Sequence, residues 1–135
     1  METFDTNVLV RLLVEDDPTQ SAQALAQWQR ALAGGGTYLP KLVLAEAVWV
    51  LRTAYGFQRA SIADAVDALL RTEGLMVEDR AQVRAAVTAY ATSAADLSDH
   101  LILETARQAQ ALPVRTFDQR FARLDGVSML AEPAP

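Results

Sequence analysis

The residues in this chain best suited to chemistry are five acids: Asp5, Glu46, Asp96, Asp99 and Asp118. Asp5 stands directly behind a short candidate strand, Met1–Phe4, and Asp118 just behind another, Val114–Thr116. In a parallel sheet both would project at the carboxyl edge, where open α/β sheets place their ligands. Asp96 and Asp99 are three residues apart and so share one face of the first turn of a helix. Glu46 is the anomaly, one carboxylate inside the apolar run Val43–Leu51 with no Lys or Arg within a helical turn. A buried charge there costs several kcal/mol unless it is paired or binds a cation. Acids drawn from separate segments to one cleft suit a hard cation held by oxygen.

Each acid also has a purely local reading. Asp5 fits the N-cap of a helix beginning at Thr6. Asp96 lies at capping-box spacing from Ser93, and Asp99 favours a helix N-terminus through the dipole. Asp118 suits a turn, and Glu46 can pair with a distant base such as Arg11. The set, not any single member, indicates chemistry.

Composition narrows that chemistry. There is no cysteine, which excludes disulfide scaffolds, zinc-thiolate sites, iron–sulfur clusters and cysteine nucleophiles. The single histidine, His100, rules out a histidine-rich metal site and reads as a packed or surface residue pointing away from the acids. A net charge of −5 argues against broad electrostatic capture of nucleic acid, but not against a local basic rim or an acidic site neutralised by metal. Arg11, Lys41, Arg115 and Arg120 lie near the acids in sequence and are candidate phosphate contacts. No apolar run approaches the roughly 18 residues of a membrane span, and no signal-peptide pattern precedes Asp5, so a cytoplasmic location is expected. Gly34–Gly36 lacks a following Lys-Ser/Thr pair, so it stops a helix and does not cradle phosphate.

The elements that must position the acids alternate between short strands and helices. With 135 residues, 51% hydrophobic, the chain is long enough for one domain with its own core. Helices are expected over Asn7–Val14, from Pro18 to Ala33 behind an Asp17 cap, and over Pro40–Tyr55. Ala22, Leu25, Ala26 and Trp28 are the expected inner face of the second, while the third looks buried on most sides. Ser61 with Asp64 reads as a capping-box start for a helix ending at Gly74. Ala81–Thr92 and Asp96–Ala111 complete the helices; Thr37–Leu39, Leu75–Val77 and Val127–Leu130 complete the strands. The pattern is an α/β fold with a mainly parallel sheet covered on both faces.

Four segments together resemble the PIN-domain ribonucleases, and more narrowly the VapC-type toxins of bacterial type II toxin–antitoxin pairs. They are Phe4-Asp5-Thr6-Asn7-Val8-Leu9, the helix bearing Glu46, Ala95-Asp96-Leu97-Ser98-Asp99-His100-Leu101-Ile102, and Thr116-Phe117-Asp118-Gln119-Arg120-Phe121. The resemblance covers nearly the whole chain. It implies a PIN-like three-layer α/β/α sandwich with a short, mainly parallel central sheet and about seven helices. It further implies a metal-dependent endoribonuclease using Mg²⁺ or Mn²⁺, an RNA substrate, a cognate antitoxin and a homodimer. Residue by residue, the resemblance makes Asp5 and Asp99 the principal metal ligands, with Glu46 and Asp118 completing the site. Thr116 matches a hydroxyl position that orients it, and Asp96 an extra acid with a supporting or second-metal role. His100 and Leu103 stand where such toxins often carry Ala, a departure that touches packing more than chemistry.

Two other readings compete. An Asp-nucleophile phosphatase would need a second acid two residues after Asp5, where this chain has Asn7. A catalytically idle interaction module would need no acids at these positions. The apolar surplus on Leu42–Leu51 and Ile62–Leu70 marks the expected contact surfaces.

Overall fold

The computed structural model describes residues 1–130. The order of elements is β1 (Glu2–Thr3), α1 (Thr6–Leu13), α2 (Pro18–Ala33), β2 (Thr37–Leu39), α3 (Lys41–Thr53), α4 (Arg59–Leu70) and β3 (Leu75–Val77). There follow α5 (Arg80–Tyr90), α6 (Leu97–Gln108), β4 (Val114–Thr116), a 3₁₀ turn (Phe121–Arg123) and β5 (Val127–Met129). Every strand pairing is parallel. The result is the expected α/β fold, with six α-helices, one 3₁₀ turn and short parallel sheet among the described residues. The strands form two ladders, β1-β2-β3 and β4-β5.

Local chemistry explains the first half. Asp17 accepts a hydrogen bond from the Gln20 amide at 3.0 Å and Pro18 occupies the first helical position, so α2 starts where its cap dictates. It stops at Gly34. Gly36 (φ +92°) and Gly74 (φ +87°) then let two turns touch: a Cβ on Gly36 would stand 2.9 Å from the Gly74 carbonyl oxygen. That close approach allows Glu2 to donate to Gly36 and Thr37 to donate to Gly74, which sets the register of β1, β2 and β3. Helix α3 has no capping side chain of its own. Glu78, just past β3, accepts from the Lys41 amide at 2.9 Å instead.

The main core joins Leu9 and Val10 of α1, Trp28 of α2, Leu44, Val48 and Leu51 of α3, and the inner residues of α4, α5 and α6 against β2 and β3. A smaller cluster, Leu103, Phe121 and Val127, holds β4 and β5 to α6.

Several expectations from sequence are corrected. Leu25 and Ala22 of α2 face solvent, and the buried stripe runs through Trp28 and Ala31, because α2 turns a different side toward β2. Helix α3 buries Leu44, Ala47, Val48 and Leu51 but leaves Leu42 and Trp49 exposed, so apolar composition on both sides did not mean burial on both. Helix α4 begins at Arg59 behind Gln58 with no side-chain cap, two residues before the Ser61–Asp64 pair, and ends at Leu70 before Gly74. Ser93 does not cap α6: its hydroxyl contacts His100 Nε2 at 2.6 Å and accepts from the Ala95 amide.

Candidate active site

The first acid is placed by its own helix. Asp5 follows β1, adopts an extended backbone and accepts from the Val8 amide at 3.1 Å, which makes it the N-cap of α1. Its carboxylate is exposed. The local reading and the functional one therefore hold together, because a cap uses one oxygen and leaves the other.

Glu46 is exposed as well, which overturns its expected burial. It sits on the outer stripe of α3 between Leu42 and Trp49, opposite Ala47, Val48 and Leu51. Its partner is the hydroxyl of Thr6, which donates to Glu46 Oε1 at 3.2 Å. This contact ties α3 to the residue directly after Asp5. Thr6 was not singled out from sequence, although the adjacency Asp5-Thr6 was available as a signal. Arg11, the base that Glu46 was offered, is engaged by Asp16 at 2.7 Å and Gln20 at 2.8 Å.

Asp99 lies in the first turn of α6 and is half-buried. Burial pushes its carboxyl above the ordinary aspartate range. A backbone hydrogen bond involving Asp96 opposes that shift, while the charges of Asp96 and Asp118 add to it. Asp118 accepts from the Arg120 and Phe121 amides at 2.8 and 3.2 Å, and its own amide donates to Thr116 Oγ1 at 2.9 Å. Thr116 thus fixes the backbone that carries Asp118.

Asp96 differs from the other four. It occupies the N-cap position of α6 without capping it, and its carboxylate forms an ion pair with Arg52 of α3. Among the described residues, Asp5, Glu46, Asp99 and Asp118 make no ion pair. His100, next to Asp99, points inward: it is buried, held by Ser93, and its pKa is lowered by burial and by Arg59.

A family model, PIN domain, matches residues 3–127, a span that includes all of these acids. The chain belongs to the PIN-domain family. It is also similar to a VapC ribonuclease of Aquifex aeolicus (strain VF5), 26% identical over 126 residues that cover 92% of each chain.

PIN-domain nucleases generally use divalent metals, and the donors of this PIN domain suit one. They are carboxylate and hydroxyl oxygens, hard ligands of the kind Mg²⁺ and Mn²⁺ take. No Arg or Lys neutralises the four unpaired acids among the described residues, and burial, with smaller contributions from the charges of Asp96 and Asp118, disfavours the ionised form of Asp99. As the side chains stand, no three acids converge into a ready-made shell among the described residues. The donor chemistry fits: the present hydrogen bonds use Asp5 Oδ1, Glu46 Oε1 and Asp118 Oδ1 and leave the second oxygen of each carboxylate.

Of the four candidate phosphate contacts, two are otherwise engaged. Arg11 is held by Asp16, and Lys41 by Asp79 at 2.8 Å and Gln82 at 3.1 Å. Arg115 and Arg120 make no ion pair among the described residues and are exposed.

Proposed function

We propose that this PIN-domain protein is a metal-dependent endoribonuclease and the toxin of a toxin–antitoxin pair, hydrolysing RNA phosphodiester bonds. The observation that carries the reading is the set of four acids from α1, α3, α6 and the β4 edge left without cationic partners, in a chain whose family includes nucleases. The similarity to a relative named VapC ribonuclease supports RNA as the substrate.

Asp5 and Asp99 are the metal ligands in this reading, and the ion is Mg²⁺ or Mn²⁺. When bound, such an ion neutralises the phosphodiester and acidifies a water. Glu46, steadied by the Thr6 hydroxyl, orients the attacking water and accepts its proton. Asp118, fixed through Thr116, completes the acidic rim, and Asp96 supports Asp99 from the preceding turn while Arg52 holds it in place. Arg115 and Arg120 are the bases left to meet the RNA backbone.

A cognate antitoxin would silence the site by presenting a basic side chain, Arg above all, to Asp5, Glu46 and Asp99. A homodimer would use the apolar groove between α3 and α6, where Leu42 is 69% exposed and Ile102 51%, large side chains that one copy alone leaves in water. Helix α4 is excluded from that role, since Ile62, Val66, Leu69 and Leu70 are buried in the chain's own core. No helix among the described residues is long and apolar enough to cross a membrane, which accords with action in the cytoplasm.

The test is degradation of a mixed RNA pool by the purified protein with Mg²⁺, with Mn²⁺ and with EDTA. Cleavage in both metals and none in EDTA is expected. A metal that binds only the folded state also raises the melting temperature, by an amount equivalent to about 2.7 kcal/mol at a hundred times Kd. RNA left intact with either ion would refute the nuclease reading.

A further inference from the structure

Beside the acids lies a cleft that the proposed chemistry does not use. It has a volume of about 460 Å³, within the roughly 300–1,000 Å³ typical of small-ligand sites, and runs between α1 and α2. Asp5 is among its lining residues, so the cleft adjoins the first of the candidate acids. Its apolar surface comes from Phe4, Val8 and Ala24, and the Phe4 ring is braced by Trp28 with centroids 5.4 Å apart.

The remaining walls are carboxamides. Gln20, Gln23 and Gln27 recur at helical spacing along one side of α2, and Asn7 faces the same cleft from α1. Gln20 accepts from Arg11, and Gln27 is engaged by Glu2 and Arg30. Among the described residues, Asn7 and Gln23 make no side-chain hydrogen bond, and both are exposed. A carboxamide offers a donor and an acceptor in one plane, the pattern that matches the edge of a nucleobase. The one guanidinium lining the cleft, Arg11, is paired with Asp16, and the one unpaired charge lining it is the Asp5 carboxylate, so the cleft offers no free cation to a phosphate and favours a base.

We propose that this cleft seats a base of the RNA strand adjacent to the scissile phosphate, with Asn7 and Gln23 reading its edge and Phe4 offering an apolar surface. The proposal rests on the nuclease reading and deepens it: the cleft determines sequence preference. Single-stranded RNA is recognised in this way, by hydrogen bonds to splayed bases placed against flat apolar groups.

Binding is measured separately from cleavage to test it. The Asp5→Asn/Asp99→Asn double variant is titrated with fluorescent rA, rC, rG and rU hexamers, and the same four are titrated after adding Gln23→Ala. Before that addition the best hexamer should bind about tenfold tighter than the worst. Gln23→Ala, an exposed helix substitution that favours α2, should collapse this spread. Asn7→Ala should reduce it as well. Equal binding of all four hexamers, no binding of any, or a spread untouched by both substitutions would overturn the proposal. So would a Gln23→Ala effect confined to an arginine-containing peptide, which would assign the cleft to a protein ligand. Failure of the nuclease reading shows elsewhere, as wild-type protein that leaves even its preferred hexamer intact with Mg²⁺ and Mn²⁺.

Discussion

Two groups of carboxylates in this chain are treated oppositely. Asp16 receives Arg11 and the Tyr55 hydroxyl, each at 2.7 Å; Asp79 receives Lys41; Asp67 receives Arg71 and Arg84. These pairs lie on the surface, and each contributes roughly 0–1 kcal/mol at best. Asp5, Glu46, Asp99 and Asp118 receive only hydroxyls or backbone amides, or, for Asp99, the repulsion of its neighbours. Even pairing of that small worth is absent at these four acids among the described residues. Acids left unpaired on separate elements suit a site whose positive charge comes from outside the chain, and such sites commonly trade stability for activity.

Removing charge from each set should separate their roles most sharply. Asp5→Asn and Asp99→Asn are each expected to cut RNA cleavage by about 10³-fold, since a lost ligand forfeits several kcal/mol of charge stabilisation. Neither should unfold the protein. Asn caps a helix as well as Asp does, and Asp99→Asn removes a half-buried charge that its surroundings disfavour. In metal-free buffer the melting temperature of Asp99→Asn should therefore equal or exceed that of the wild type. Wild-type cleavage rates in either variant would remove Asp5 or Asp99 from the site, and a large fall in melting temperature would make its role structural.

An intermediate effect is expected at the contact that joins α1 to α3. Thr6→Val keeps the shape of the side chain and deletes the donor to Glu46 Oε1. Support of this kind is commonly worth 10–100-fold, so a decrease of about tenfold in kcat is expected, with KM little changed. Thr6→Ser should restore the rate because it restores the hydroxyl. If Thr6→Val cleaves like the wild type, Glu46 does not depend on that hydroxyl for its orientation.

Much of this division was legible in the sequence, and the parts that were not share a physical cause. Signals confined to a few neighbouring residues read correctly: Asp17-Pro18 opens α2, Gly34 closes it, and Thr37–Leu39 and Leu75–Val77 are strands. Order along the chain also placed Asp5 behind β1 and Asp118 behind β4. What failed was rotation about helix axes. Leu25 and Trp28 are both plausible inner residues until β2 selects Trp28, and α3 carries apolar side chains on two faces of which only one meets the core. Glu46 was singled out for its supposed burial, yet it is exposed, so what marks it in the structure is the bond from Thr6. Cap signals near α4 and α6 misled because Ser61 and Ser93 each had the right spacing, but tertiary packing started α4 elsewhere and gave Ser93 to His100.

The smallest expected effect lies in the paired set, at Asp16. The Tyr55 hydroxyl, followed by burial opposing it and then by Arg11, leaves the Asp16 carboxyl below its ordinary pKa. A carboxyl with a lowered folded-state pKa stabilises the fold above its unfolded value, near 3.9, and that contribution disappears as pH falls through the folded-state value. Asp16→Asn should therefore be slightly less stable than the wild type at pH 7, where the pairing with Arg11 and Tyr55 is complete. The difference should shrink on acidification below about pH 4, where the wild-type carboxyl protonates too. RNA cleavage should not change, because Asp16 is already neutralised within its own network. Urea melts at pH 7 and at pH 3 give the comparison directly. A stability deficit that grows on acidification would contradict the assigned direction of the Asp16 shift, and loss of cleavage would move Asp16 into the functional set.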